Sequence, residues 1–258
     1  MMLDIVVAFH LWLGRKVFGF LGPKCIRISL NRIVKGPTLP AEAAALLFVA
    51  ENTNIRVPKV YHTYDRKDGF YIEMEYIRGQ TVEEMWATIS MEEKDRIIKD
   101  LAACVNQLRQ LEPEVLGIGS SDMGQTKDLR LSFQPFGPFK NIEDFHAFVR
   151  KNLPLENCKE VFGEEVFLCH SSKYSIRMSH SDICLRNLII DCQGRLAIID
   201  WEFAGWRPEY WEYTKSFYAI TNTPDFYELI RKHFVNYDAE LKAERHLWRV
   251  FDQPWASD

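Results

Sequence analysis

The sequence predicts an α+β chain in two lobes, a small β-rich lobe followed by a larger helical one. Three observations predict it. The first third alternates short strand-like runs with one Ala/Leu/Glu-rich stretch. After Gly79 the pattern changes to long helical periodicity. One hairpin, at 187–200, then interrupts the helical part. The boundary falls after residue 78, giving lobes of 1–78 and 79–258, with a hinge near Glu75 to Gly79.

The elements follow in order. In "MMLDIVVAFHLWLGRKVFGFLG", Asp4 stands where a signal peptide needs positive charge, and no small-residue cleavage site follows. The apolar run from Ile5 breaks at His10 and stops at Gly14-Arg15-Lys16, too short to span a bilayer. An amphipathic helix packed on the body is the expectation. "CIRISL" alternates apolar and polar residues as a half-buried strand does, and Asn31-Arg32 turns the chain into "IVK". "LPAEAAALLFVAEN" is built from strong helix formers, with Pro40 in the first turn and "NTNIRVP" as the stop. "VPKVYHTYD" and "FYIEMEYI", joined by "RKDG", read as a β-hairpin. Beyond Gly79, Ser90 and Glu93 have capping-box spacing at the head of a long helix whose stripe is Ile97, Leu101, Val105 and Leu108. "LGIGSSDMGQTKDLRLSFQPFGPFK" reads as loop, "NIEDFHAFVRKNL" as a helix, and the chain after Trp206 as aromatic and mostly helical.

Composition narrows the function. The chain is 47% hydrophobic and 26% charged over 258 residues, enough to bury a sizeable core. A net charge of -4 without a Lys/Arg run signals neither nucleic acid nor an anionic membrane surface as partner. Cys25, Cys104, Cys158, Cys169, Cys184 and Cys192 form no C-x-x-C pair and no zinc spacing. They read as reduced thiols of a cytoplasmic protein.

"HSDICLRN" followed by "LIIDCQGRLAIIDWE" is where spacing becomes chemistry. A tight turn at Gln193-Gly194 sets Ile190 across from Ala197 and Asn187 across from Asp200. Two hard oxygen ligands then meet at the open end of one hairpin, as magnesium requires. Glu202 is either a further metal ligand or a partner for an arginine such as Arg207. Asp182, in the loop before the strand, suits a base for an attacking hydroxyl, and His180 suits a brace for that loop. Lys35 ends a strand and Glu42 opens the next helix, an arrangement that holds a lysine on nucleotide phosphates. The plain alternatives are a solvated strand-end lysine and a helix-start acid favoured by the dipole. Trp201, Trp206, Tyr210, Trp211 and Tyr213 read as core packing rather than a cage, and Glu209 and Glu212 as solvated helix-start acids.

These residues carry a resemblance. "HSDICLRN…IIDWE", with "VAENTNIRVPKVY", "YIEMEYIRGQT" and "AGWRPEYWEY", resembles the aminoglycoside phosphotransferase/choline kinase-type superfamily, in particular fungal proteins with that domain. The likeness runs from about Val17 to Tyr218. It implies a bilobal protein-kinase-like fold and transfer of the γ-phosphate of ATP, with Mg2+, to a hydroxyl of a small molecule. By that resemblance Asp182 is the base, and Asn187 and Asp200 are the metal ligands. Lys35 is the phosphate lysine with Glu42 its partner, and the hinge of Met74, Glu75 and Ile77 reads adenine through its backbone. Ser181 stands where the family has glycine, a small change unless the position needs a positive φ. Gly19 and Gly22 of "VFGFLG" are the candidate phosphate cover. A pseudokinase acting as a binding or scaffold protein is the alternative. A protein kinase is disfavoured, since neither D-F-G nor A-P-E occurs.

Overall fold

The computed structural model describes residues 11–218 and 223–251. The chain falls into two compact units, Met1–Ala87 with Leu185–Glu202, and Thr88–Cys184 with Phe203–Asp258.

The first unit is built on a five-stranded antiparallel sheet. Its strands are β1 (Phe20–Gly22), β2 (Cys25–Arg27), β3 (Arg32–Thr38), β4 (Val60–Arg66) and β5 (Gly69–Glu75), in the order β1-β2-β3-β5-β4. β4 and β5 pair tightly because only Lys67 and Asp68 separate the paired Arg66 and Gly69. Asp68 accepts from Arg66 Nε at 2.9 Å and from the Tyr71 hydroxyl at 3.0 Å, which holds the turn. "CIRISL" forms a strand only as far as Arg27. There the Arg27 guanidinium bonds Ser29 O and Leu30 O, and Ile28 N bonds Arg32 O, so the chain turns early. The helix Pro40–Asn52 buries Ala43, Ala45, Leu46 and Val49. Of the apolar N-terminal stretch, residues 1–10 lie outside the described residues. Residues 11–17 are helical and put Leu11 against Ile26, Val34 and Tyr71. Gly14 permits this approach, since a Cβ there would sit 2.4 Å from Arg27 O.

A second, three-stranded sheet joins β6 (Gly79–Thr81) to β10 (Leu188–Asp191) and β11 (Leu196–Ile198), in the order β11-β10-β6. This ladder explains why the first unit does not end at residue 78. Backbone hydrogen bonds tie the hairpin to β6, so residues 79–87 and 185–202 group with the first unit.

In the second unit the helix Met91–Gln110 starts at the expected capping box, with Ser90 and Glu93 bonded reciprocally. It buries Ile97, Ile98, Leu101, Val105 and Leu108. The stretch read as loop carries a hairpin, β7 (Thr126–Asp128) with β8 (Ser132–Phe136), and Ile118 bonds both ways to Phe139 beside it. β9 (Ile176–Ser179) pairs with β12 (Gly205–Pro208). The helices Ile142–Val149, Glu164–Ser171 and Asp238–Phe251 close around Phe145, Val166, Tyr210, Trp211, Ala243 and Leu247. Phe145 and Trp211 meet edge-on at 5.1 Å, so these aromatics are core and not a cage. Two ion pairs are buried nearby, Arg130 with Glu244, and Lys215 with Asp128 at 3.0 Å. Among the described residues no helix is long and apolar enough to cross a membrane.

The Lys215–Asp128 pair is 6% and 0% exposed, so removing one partner strands the other. Lys215→Met is expected to cost about 3–5 kcal/mol, read as a lower urea midpoint at unchanged m-value.

Candidate functional site

The first unit encloses a cavity of about 630 Å³. Its lining includes Lys35, Glu42, Met74 to Ile77, Asn187, Asp200 and Glu202. Of the eight candidate residues, seven therefore meet in one unit, and Asp182 belongs to the other.

Lys35 lines this cavity between two carboxylates. Its Nζ donates to Glu42 Oε1 at 2.6 Å and to Asp200 Oδ1 at 2.6 Å. Glu42 is 1% exposed and also accepts from Thr38 Oγ1 at 2.8 Å, so its carboxylate is aimed. The local chain explains the reach. The β3–β5 ladder breaks between Lys35 and Thr38, where Gly36 crosses the Tyr71 ring. A Cβ on Gly36 would lie 2.5 Å from that ring. The break releases the chain into the helix that carries Glu42. Burial opposes the Lys35 charge, but Glu42 and Asp200 together outweigh it and raise its pKa. Neither plain alternative holds: Lys35 is not solvated, and Glu42 is not a surface helix-start acid.

The hairpin register corrects one expectation. The structure pairs Leu188 with Ile198, Ile189 with Ala197 and Ile190 with Leu196. Asn187 therefore faces Ile199, whose N–H donates to Asn187 O at 2.9 Å, and not Asp200. The cause is a loop one residue longer than a tight turn. Asp191 N bonds Arg195 O across Cys192, Gln193 and Gly194, with Gly194 at φ +76°. Such a slip turns side chains to the other face of a strand. Asp200 reaches the cavity by another route. It lies past β11 at φ +64°, a left-handed conformation that redirects its carboxylate to Lys35.

At the hinge, two backbone amides are already engaged. Glu75 N bonds Lys59 O and Tyr76 N bonds Asn31 O, both at 2.9 Å. The Glu75 carboxylate is held by the Arg56 guanidinium. The covering hairpin, β1–β2, turns at Pro23 and Lys24. Among the described residues, a Cβ on Gly19 or Gly22 would meet nothing within 4 Å, so neither serves a close approach to them. Glu202 pairs with Lys24 at 3.6 Å. The anticipated arginine partner, Arg207, instead donates to Gly119 O, Thr126 Oγ1 and Phe203 O.

In the second unit, the loop bearing Asp182 is organised by a residue that sequence reasoning misjudged. Glu212 is 4% exposed, not solvated. Its carboxylate accepts from Ser179 Oγ, His180 N and Ser181 N. Buried and flanked by three donors, it acts as the anchor of the turn. The only forewarning in the sequence was the acid in "PEYWEY". Ser181 lies at φ +64°, so the position where the family has glycine does require a positive φ. Ser181 Oγ and Ser179 Oγ are 2.9 Å apart. His180 Nδ1 accepts from Asp182 N at 3.2 Å, the bracing role expected of it. Glu209 is likewise structural, bonded to Ser175 N, Tyr237 and Arg109.

The Ser181 backbone sets a test. Ser181→Gly relieves a left-handed cost but loses a hydroxyl bond, each about 1 kcal/mol, so stability should change by less than about 1 kcal/mol. Ser181→Val, β-branched at the same φ, should cost about 1–3 kcal/mol in chemical denaturation.

The family model described as the phosphotransferase enzyme family matches residues 30–247. No curated protein matches the sequence. Among solved structures, aminoglycoside phosphotransferase APH(4)-Ia is similar at 12% identity and TM-score 0.63, covering 96% of this chain and 90% of that one. A thermostable mutant of it, in ternary complex with AMP-PNP and hygromycin B, matches at 14% identity and TM-score 0.61, with 94% and 90% covered. The streptomycin–ATP–APH(2")-IIa ternary complex matches at 18% identity and TM-score 0.58, with 97% and 90% covered. At these identities the structures speak for the fold, which is α+β and of the kinase-like type. The family match spans most of the sequence, and the chain belongs to the phosphotransferase enzyme family.

Proposed function

We propose that this protein is an ATP- and Mg2+-dependent phosphotransferase that moves the γ-phosphate to a hydroxyl of a small molecule. The observation that carries it is the Lys35 ammonium, held by Glu42 and Asp200 in one cavity. An ammonium has three donors. Two are engaged here, and the third remains for the α/β-phosphates of a nucleotide. Glu42 keeps the lysine aimed while the phosphates bind. At the hinge, the engaged Glu75 and Tyr76 amides leave the Ile77 N–H to bond adenine, with Met74 packing against the base. Solved relatives in the family fold carry ATP or AMP-PNP, which supports nucleotide use.

The donor chemistry fits magnesium. Asn187 and Asp200 supply hard oxygens to the same cavity. The ion, when bound, neutralises charge on the phosphates. Asp182, five residues before Asn187 in the sequence, accepts the proton of the acceptor hydroxyl. Positioning and electrostatics then supply most of the rate, since the transition state needs little covalent help. In this reading the first unit covers the nucleotide and the second carries the base and the acceptor region. None of the six cysteines is in a disulfide, which accords with a cytoplasmic location.

Thermal unfolding with ATP tests the nucleotide site. At a hundred times its Kd the ligand should add about 2.7 kcal/mol to stability. The gain should require Mg2+ and disappear in Asp200→Ala. Absence of any gain in the wild type would favour the scaffold alternative. Asp182→Asn should keep the ATP-induced gain and lose about 10²- to 10⁴-fold in turnover. Undiminished turnover there would remove the base assignment.

A further inference from the structure

Lys35 shares its cavity with a second lysine. Lys24, from the turn of the β1–β2 hairpin, lines it too. Loops that cradle phosphates do so with successive backbone N–H groups. The local sequence leaves little of that here. Gly22 pairs with Cys25, so Pro23 and Lys24 alone form the tip of the turn. Proline has no N–H to offer. What the tip carries instead is a side chain, an ammonium on a flexible stem.

The sheet decides where that ammonium goes. Cys25 lies directly across from Lys35 in the β2–β3 ladder, and Lys24 O accepts from Gly36 N at 2.8 Å. The Lys24 backbone is therefore anchored beside the segment that carries Lys35. Its Nζ approaches Glu202 Oε1 at 3.6 Å, while Lys35 Nζ meets Asp200 Oδ1 at 2.6 Å. Asp200 and Glu202 are two residues apart, so both ammonium groups stand at one end of the cavity.

The two lysines are held very differently. Lys35 has two carboxylates at 2.6 Å and a side chain 12% exposed. Lys24 reaches its carboxylate only at 3.6 Å, outside hydrogen-bond range, and its side chain is 43% exposed. A pair that loose adds little to stability. Glu202 is nonetheless 12% exposed, so the ammonium is drawn to a sheltered acid and not out into solvent. Charge gives the contact its meaning. Five carboxylates line the cavity against three cations, Lys24, Lys35 and Arg186. A polyphosphate entering that surplus adds further negative charge. An ammonium on a loose partner is placed to meet it.

We propose that Lys24 is a second phosphate ligand: its ammonium exchanges the Glu202 carboxylate for the phosphate chain of the nucleotide, so the β1–β2 cover grips phosphate through a side chain rather than through backbone amides. The proposal rests on the nucleotide reading of the cavity and adds a residue to it.

Calorimetry with ATP and with adenosine, both in Mg2+, tests it on the wild type, Lys24→Met, Lys24→Arg and Glu202→Gln. Lys24→Met should weaken ATP at least about tenfold, as loss of a charge-assisted bond does, and leave adenosine affinity within about twofold. Its thermal unfolding midpoint without nucleotide should not move. Lys24→Arg keeps the charge and should recover most of the ATP affinity. Glu202→Gln removes the competing carboxylate and should bind ATP at least as tightly as the wild type. In the wild type itself, ATP should protect Lys24 from acetylation by an amine-reactive ester, read by mass spectrometry, and adenosine should not. Given ATP binding by the wild type, four results overturn the proposal and leave the nucleotide reading standing. They are undiminished ATP affinity in Lys24→Met, an equal loss for adenosine, weaker ATP binding in Glu202→Gln, and acetylation of Lys24 that ATP does not slow. A wild type that binds no ATP at millimolar concentration overturns the nucleotide reading, and the proposal with it.

Discussion

Lys35 stands between two carboxylates, and the first unit's cavity depends on that arrangement. Three pieces of chain meet there. β3 brings the lysine, the helix Pro40–Asn52 brings Glu42, and the segment past β11 brings Asp200 from 165 residues away. The Lys35 and Glu42 charges would be costly in place alone, whereas the Asp200 side chain is 40% exposed. Glu42 is almost fully buried, and the Lys35 side chain is 12% exposed. A buried ion pair rarely outperforms apolar side chains of similar volume as a source of stability. Its value here lies in what it presents: an ammonium of fixed direction, with carboxylates that keep it protonated and aimed.

The second unit uses the same device with the sign reversed. There a buried carboxylate, Glu212, gathers donors from Ser179, His180 and Ser181. The loop so gathered leads directly into Asp182. Two non-glycine residues with positive φ, Ser181 and Asp200, flank the two acidic candidates or are one of them. Backbone held in a sparsely populated region persists only where its surroundings over-determine it. Both cases have such surroundings, Glu212 for one and the Lys35 ammonium for the other. Left-handed backbone also occurs at Met123, Lys151 and Asn152, away from these two segments.

Family membership sets the reaction class and leaves specificity to this chain's own surfaces. The covering hairpin turns on Pro23 and Lys24 where a glycine loop would approach through bare backbone. Glu202 answers that lysine at 3.6 Å, a partner outside both readings of Glu202 in the sequence. These features distinguish the protein from a bare statement of its fold.

What the sequence determined by itself was local. The helix at 40–52, the capping box at Ser90 and Glu93, the β4–β5 hairpin and the buried stripe of the long helix were all legible. Each rests on periodicity or cap chemistry within a few residues. The Lys35–Glu42 pair was legible for the same reason, since seven residues separate the partners. Three things were decided only by tertiary structure. The hairpin register slipped by one, because a three-residue loop and a two-residue loop both suit "DCQGR" and only the packed ladder chooses. Residues 79–87 and 185–202 joined the first unit, because a strand pairing across more than a hundred residues leaves no local trace. Glu212 moved from surface to core, because a carboxylate's cost of burial is offset by donors that its own neighbourhood in sequence does not contain.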